Sequence, residues 1–175
     1  MENTAVTVSD PPGVNRVQIL AGCLALLLGT LIYLSDRPPG ATYFVNRYLY
    51  MFSIHDRFPD LFGWADRSLA SFLHVFSFIL ITGGIATASR QGHILVAAAW
   101  MAVDAGFEIG QYFDAAAVKL VPDWFGQYPV LDAVKSYFRQ GSFDPLDLVA
   151  IFAGAVAGYG VMRMTRRKTN ERKPT

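Results

Sequence analysis

Four apolar runs alternate with polar, aromatic-rich stretches along the chain. Val17–Leu34 is an almost unbroken run of eighteen residues, close to the roughly 20 that cross the hydrocarbon of a bilayer. Leu69–Thr87 follows, with Ser71, His74, Ser77, Thr82 and Thr87 as its only polar side chains; His93–Tyr112 and Leu146–Met162 complete the set. The pattern predicts an all-α membrane protein with four transmembrane helices, over about 17–34, 69–87, 93–112 and 146–162. Ala88-Ser89-Arg90-Gln91-Gly92 is a short link, which makes the second and third helices antiparallel neighbours. Asp144 before Pro145 has the form of an N-cap followed by proline at the first helical position. The first run is expected to be retained, because Ser35-Asp36-Arg37-Pro38-Pro39-Gly40 is a poor small-residue cleavage site.

The polar stretches set the orientation. Residues 1–16 are mostly polar and carry Pro11, Pro12 and Gly13, so a frayed cytoplasmic tail is expected. Residues 41–68 and 113–141 are broken by proline and glycine and are rich in Tyr, Phe and Trp. Rings interleaved with arginine suit a segment lying at the head-group level, and Val130–Arg139 is a candidate short surface helix. Composition supports the membrane class: 53% hydrophobic and 17% charged residues are outside the range of ordinary soluble domains. The net charge of +1 hides an asymmetry, since Arg163, Arg166, Arg167, Lys168, Arg172 and Lys173 crowd residues 163–175. By the positive-inside rule both termini are cytoplasmic, and the two long aromatic loops face outward. The basic tail is read as a topology anchor, with no nucleic-acid partner. Cys23 is alone, so no intrachain disulfide is expected.

Within this apolar frame the stretch WMAVDAGFEIGQY places Asp104, Glu108 and Gln111 at i, i+4 and i+7, on one helical face. An ionisable group in a membrane-spanning segment costs about 2.5–3.5 kcal/mol on insertion scales, so these acids require partners or a polar cavity. The orientation puts His74 in the outer half of its helix, at the depth of Asp104 and Glu108, with Asp144 and Asp147 at the mouth of the fourth span. Gly154 and Gly158, spaced as GxxxG, let another helix approach that span closely. The second, third and fourth spans are therefore expected to surround an outward-opening polar pocket.

These residues, in this order, resemble the VanZ-like family of small bacterial membrane proteins. The resemblance rests on His74 in SFLHVFSF, Glu108 and Gln111 in EIGQ, and Asp147, Gly154 and Gly158 in DPLDLVAIFAGAVAG. It covers about residues 69–160. The family's loop arginine is best matched by Arg139, and its acidic-basic pair before the histidine by Asp66 and Arg67; Ile151 stands where the family has an asparagine. The resemblance implies a multi-pass protein of the bacterial inner membrane associated with resistance to the glycopeptide teicoplanin. Membrane lipids, and a lipid-linked cell-wall precursor, are the partners it implies.

Three roles fit the polar set of His74, Asp104, Glu108, Gln111, Asp144 and Asp147, with Arg67 and Arg139 as anion partners. It can recognise a cell-envelope head group, perform acid/base chemistry on a lipid-linked substrate with His74 and Glu108, or simply lock the helices together. One histidine among scattered acids has no metal-ligand spacing, so neither a metal nor another cofactor is expected. Nucleophile-elbow, P-loop and HExxH motifs are absent. Whether the chain is an enzyme, and its oligomeric state, stay open at this level.

Overall fold

A computed structural model describes residues 14–38, 50–55, 62–63, 66–86, 89–128 and 131–166. The expectations for the N-terminal tail, most of loop 41–68 and the tail beyond Arg166 lie outside these residues, as does the Arg67 side chain. The described chain is all-helical: α1 (Arg16–Asp36), α2 (Asp66–Ala86), α3 (Arg90–Tyr112), α4 (Asp114–Leu120), α5 (Ala133–Gln140) and α6 (Pro145–Met164). Short 3-10 turns occupy Tyr50–Phe52 and Asp123–Gln127. Four helices, α1, α2, α3 and α6, are long and apolar enough to cross a membrane.

Capping explains why these helices begin earlier than their apolar runs. Ser89 accepts from the Gly92 N–H at 2.9 Å, which starts α3 at Arg90 instead of His93. Asn15 accepts from the Gln18 N–H and opens α1. At α6 the Asp144 carboxylate accepts from the Leu146 N–H at 2.9 Å, with Pro145 at the first position, where its missing N–H costs nothing. The surface helix expected over Val130–Arg139 forms over Ala133–Gln140, and α4 extends the third span beyond a break at Phe113.

The central helix is α2. It packs most extensively on α1, next on α6 and only lightly on α3, which leans instead against α6. Glycines set these distances. A Cβ at Gly22 of α1 would lie 2.8 Å from the Ser77 carbonyl oxygen, and one at Gly154 of α6 would lie 2.6 Å from the Phe72 carbonyl oxygen. The GxxxG face of α6 is thus covered by α2 of the same chain. Val75, Ile79, Leu80, Ile151, Ala155 and Met162 form the core between them. The helices of the second, third and fourth spans, α2, α3 and α6, all pack on one another, and α1 joins them through α2. The first span is a full partner of α2 and carries its C-terminal residues to the same end of the bundle.

Candidate functional site

One end of the bundle gathers the end of α1, the start of α2, the end of α3, all of α5 and the start of α6. Along α2 the polar residues Ser68, Ser71 and His74 recur every third position, which keeps them on adjoining turns of one helix surface. They reach in two directions. His74 Nδ1 lies 3.0 Å from Asp104 Oδ2 on α3, whereas the Ser71 and Ser68 hydroxyls hydrogen-bond the Asp147 carboxylate on α6. Because an ionised carboxylate only accepts, Nδ1 carries the proton in the His74–Asp104 pair, and Nε2 of a neutral ring is left with a lone pair.

One turn beyond Asp104, Glu108 closes α3 onto α6. Its Oε1 accepts from the Asp144 backbone N–H at 2.8 Å, at the N-terminus of α6, where the helix dipole favours negative charge. Asp144 and Asp147 also lie close enough to Glu108 to act on it electrostatically. Glu108, Asp104 and Asp147 are 5%, 8% and 9% exposed. Asp147 Oδ1 is buried with no hydrogen-bond partner among the described residues.

The α5 helix roofs this cluster. Phe138 is buried against Gly110 and stacks on Phe107 with centroids 5.6 Å apart, which fixes α5 on the end of α3. Beside it the Tyr137 ring is 40% exposed, but its hydroxyl turns inward and hydrogen-bonds Gln111, near Tyr33, Glu108 and Asp104. Burial of that hydroxyl, reinforced by Tyr33 and Glu108, pushes its ionisation above the ordinary tyrosine range. Tyr137 is therefore a neutral hydrogen-bonding group at physiological pH. Gln111 itself packs on Gly141, where a Cβ would come within 2.6 Å of its side-chain amide.

Among the described residues, a cation beside the site comes from a position that the sequence reading passed over. Arg37, the residue after α1, holds its guanidinium 4.3 Å from the Tyr33 ring centroid and lies close enough to act on Asp147. Arg139 is exposed in the last turn of α5, and no interaction joins it to the carboxylates among the described residues. Tyr33 and Arg37 are four positions apart at the end of the first span. That spacing, at the C-terminal end of an otherwise apolar helix, was the available signal. Ser68 and Tyr137 were likewise unassigned, although the Ser68, Ser71, His74 stripe was legible as a three-residue period.

Chemically, the arrangement can accept hydrogen bonds and hold positive charge. The Ser77 hydroxyl donates to the His74 carbonyl oxygen at 2.8 Å, the usual use of serine inside a transmembrane helix, and Ser71 serves Asp147. No group of three His, Cys, Asp or Glu side chains with metal-holding geometry occurs among the described residues. Comparison with protein-family models, curated proteins and solved structures gives no match.

Proposed function

We propose that the chain is a VanZ-like protein of a bacterial inner membrane whose polar cluster opens on the outer face and recognises the head group of a cell-envelope component. The bias of Lys and Arg toward residues 1–16, 88–92 and 163–175 supports this orientation. Both termini then lie in the cytoplasm, and the loops 35–68 and 113–145 lie outside. A lipid-linked cell-wall precursor is a fitting ligand, and altered teicoplanin susceptibility the fitting phenotype. The observation that carries this reading is that α2 binds two acids on two different helices, through His74 to Asp104 and through Ser71 to Asp147. Buried ionisable groups in spanning helices mark a working site by default. The test is a teicoplanin-susceptibility assay on cells making Glu108→Gln or Asp147→Asn protein at normal levels. Loss of phenotype is expected; full phenotype in both removes the cluster from the function.

The His74–Asp104 pair favours a second reading, a hydrolase or transferase acting on a lipid-linked substrate. An aspartate that orients one ring nitrogen leaves the other positioned as a general base. Product formed by purified protein and lost in His74→Ala distinguishes this reading from recognition alone. A third reading, assembly through the glycine face of α6, has little left to use, because α2 covers that face.

A further inference from the structure

Among the described residues the carboxylate cluster is unbalanced in charge, and the imbalance points to the chemistry of its ligand. Asp104, Glu108, Asp144 and Asp147 bring four acids to one end of the bundle, where Arg37 is the cation beside them among the described residues. Of the neutral donors at this end, the Ser71 and Ser68 hydroxyls bond Asp147 and the Tyr137 hydroxyl bonds Gln111. An acceptor is what remains. Asp147 is 9% exposed, yet its Oδ1 has no hydrogen-bond partner among the described residues. A phosphate or carboxylate ligand would add only acceptors and negative charge to this surface. An ammonium supplies three N–H donors and a positive charge, and N–H bonds to carboxylate are about twice as strong as neutral ones.

The route is given by His74. It lies eight positions into α2, about 12 Å from the helix start at 1.5 Å per residue, below the level of head groups. Even so, its side chain is 51% exposed while Asp104, its partner across the seam, is 8% exposed. In a helix that spans a bilayer, a half-exposed imidazole at this depth faces the lipid side. The seam is also the loose one, since α2 and α3 pack on each other less than either packs on α6. Phe78 and Trp100, stacked with centroids 4.6 Å apart directly below the imidazole, wall it toward the other leaflet.

We propose that the cluster binds the primary ammonium of a membrane-lipid head group, which enters sideways between α2 and α3 past His74. This deepens the head-group reading above and rests on it. The full chain, reconstituted into phosphatidylcholine vesicles with equal minor fractions of phosphatidylethanolamine and phosphatidylglycerol, is extracted in mild detergent and its retained lipid quantified. Phosphatidylethanolamine is expected to be enriched about tenfold over both other lipids, the scale of one lost charge-assisted bond. Asp147→Asn and Glu108→Gln are each expected to abolish the enrichment, while Arg163→Gln, at the opposite end, keeps it. Equal retention of all three lipids, or an excess of phosphatidylglycerol, overturns the proposal.

Soluble ethanolamine separates the two sources of an ammonium: phosphatidylethanolamine enrichment that survives an excess of it supports the lipid source, and enrichment lost to it overturns that source. His74→Trp, which fills the seam, is expected to slow lipid exchange; unchanged lipid exchange overturns the sideways route. Enrichment that depends on Asp147 while teicoplanin susceptibility does not supports this proposal and overturns the cell-envelope reading. Altered susceptibility without enrichment does the reverse.

Discussion

The two ends of the bundle use polar side chains in opposite ways. At the end carrying the termini, Asn15 Nδ2 donates to the Thr165 carbonyl oxygen at 2.9 Å, and Gln18 Nε2 donates to Thr165 Oγ1 at 2.9 Å and to the Met162 carbonyl oxygen at 3.3 Å. The Asn15 N–H donates to the Gly84 carbonyl oxygen at 2.7 Å. These groups are neutral, and they satisfy carbonyls that the ends of α2 and α6 would otherwise leave orphaned. At the opposite end the side chains are ionisable and bind across helices; each end keeps one buried oxygen, Gln18 Oε1 or Asp147 Oδ1, without a hydrogen-bond partner among the described residues. Neutral pairs close helix ends at little electrostatic cost. Clustered acids of the same sign raise the energy of the apo fold, and such an arrangement makes sense where a ligand supplies the counter-charge.

The change expected to be largest affects both ends at once. Gly154→Leu drives a side chain into the Phe72 carbonyl oxygen and Val75, and because the obstacle is backbone, α6 must move away from α2. Overpacking of this kind costs about 3 kcal/mol, read as a lowered midpoint in denaturant titration of the detergent-solubilised protein. A midpoint within error of wild type would show that α6 is not held where Gly154 places it. The next contrast separates the ends. Gln18→Ala removes two interhelical hydrogen bonds, each worth about 0.6 kcal/mol by analogy with membrane proteins, and should cost about 1 kcal/mol of stability with lipid enrichment intact. Asp147→Asn keeps the side-chain shape and removes a charge, so stability should change by less than about 1 kcal/mol while head-group binding is lost. If Gln18→Ala abolishes binding, or Asp147→Asn unfolds the chain, the distinction between a structural and a working end fails.

Hydrophobic periodicity made the spans legible because burying an apolar helix in a bilayer is a local property of its sequence. Helix starts were missed by up to three residues, since Arg90 and Asp66 are polar and belong to the first turn all the same. Asp104, Glu108, Gln111 and His74 could be placed on one end of the bundle from helical spacing and orientation. Their partners could not. That His74 meets Asp104 while Ser71 meets Asp147 depends on α2 lying between α1 and α6, a packing choice made by Gly22 and Gly154 rather than by any polar residue. Arg37 was overlooked for the same reason: its importance comes from α1 packing on α2. Arg139 was favoured as the match to the family's loop arginine, and α5 turns its buried face, with Phe138, toward α3 and leaves Arg139 exposed.

The smallest expected effect lies above the acidic end, in the link between α4 and α5. Lys135 Nζ donates to Asp123 Oδ1 at 2.6 Å, and this hydrogen bond, together with the lysine's charge, holds the Asp123 carboxyl below its ordinary range. The sign follows: a depressed acid contributes stability above its unfolded pKa and loses it as pH falls through the folded value. Asp123 is fully exposed, so water and salt screen the pair. Asp123→Asn should therefore leave the denaturant midpoint unchanged at neutral pH, and acidification should affect both proteins alike. The readout that can move is local: hydrogen exchange at the first turn of α5 should rise in Asp123→Asn at neutral pH and in wild type once the carboxyl is protonated. Because α5 is anchored independently by Phe138 on Gly110 and Phe107, lipid enrichment should not follow that change. An enrichment that falls with Asp123 would mean that the roof over Glu108 is set by this surface pair instead of by the buried ring.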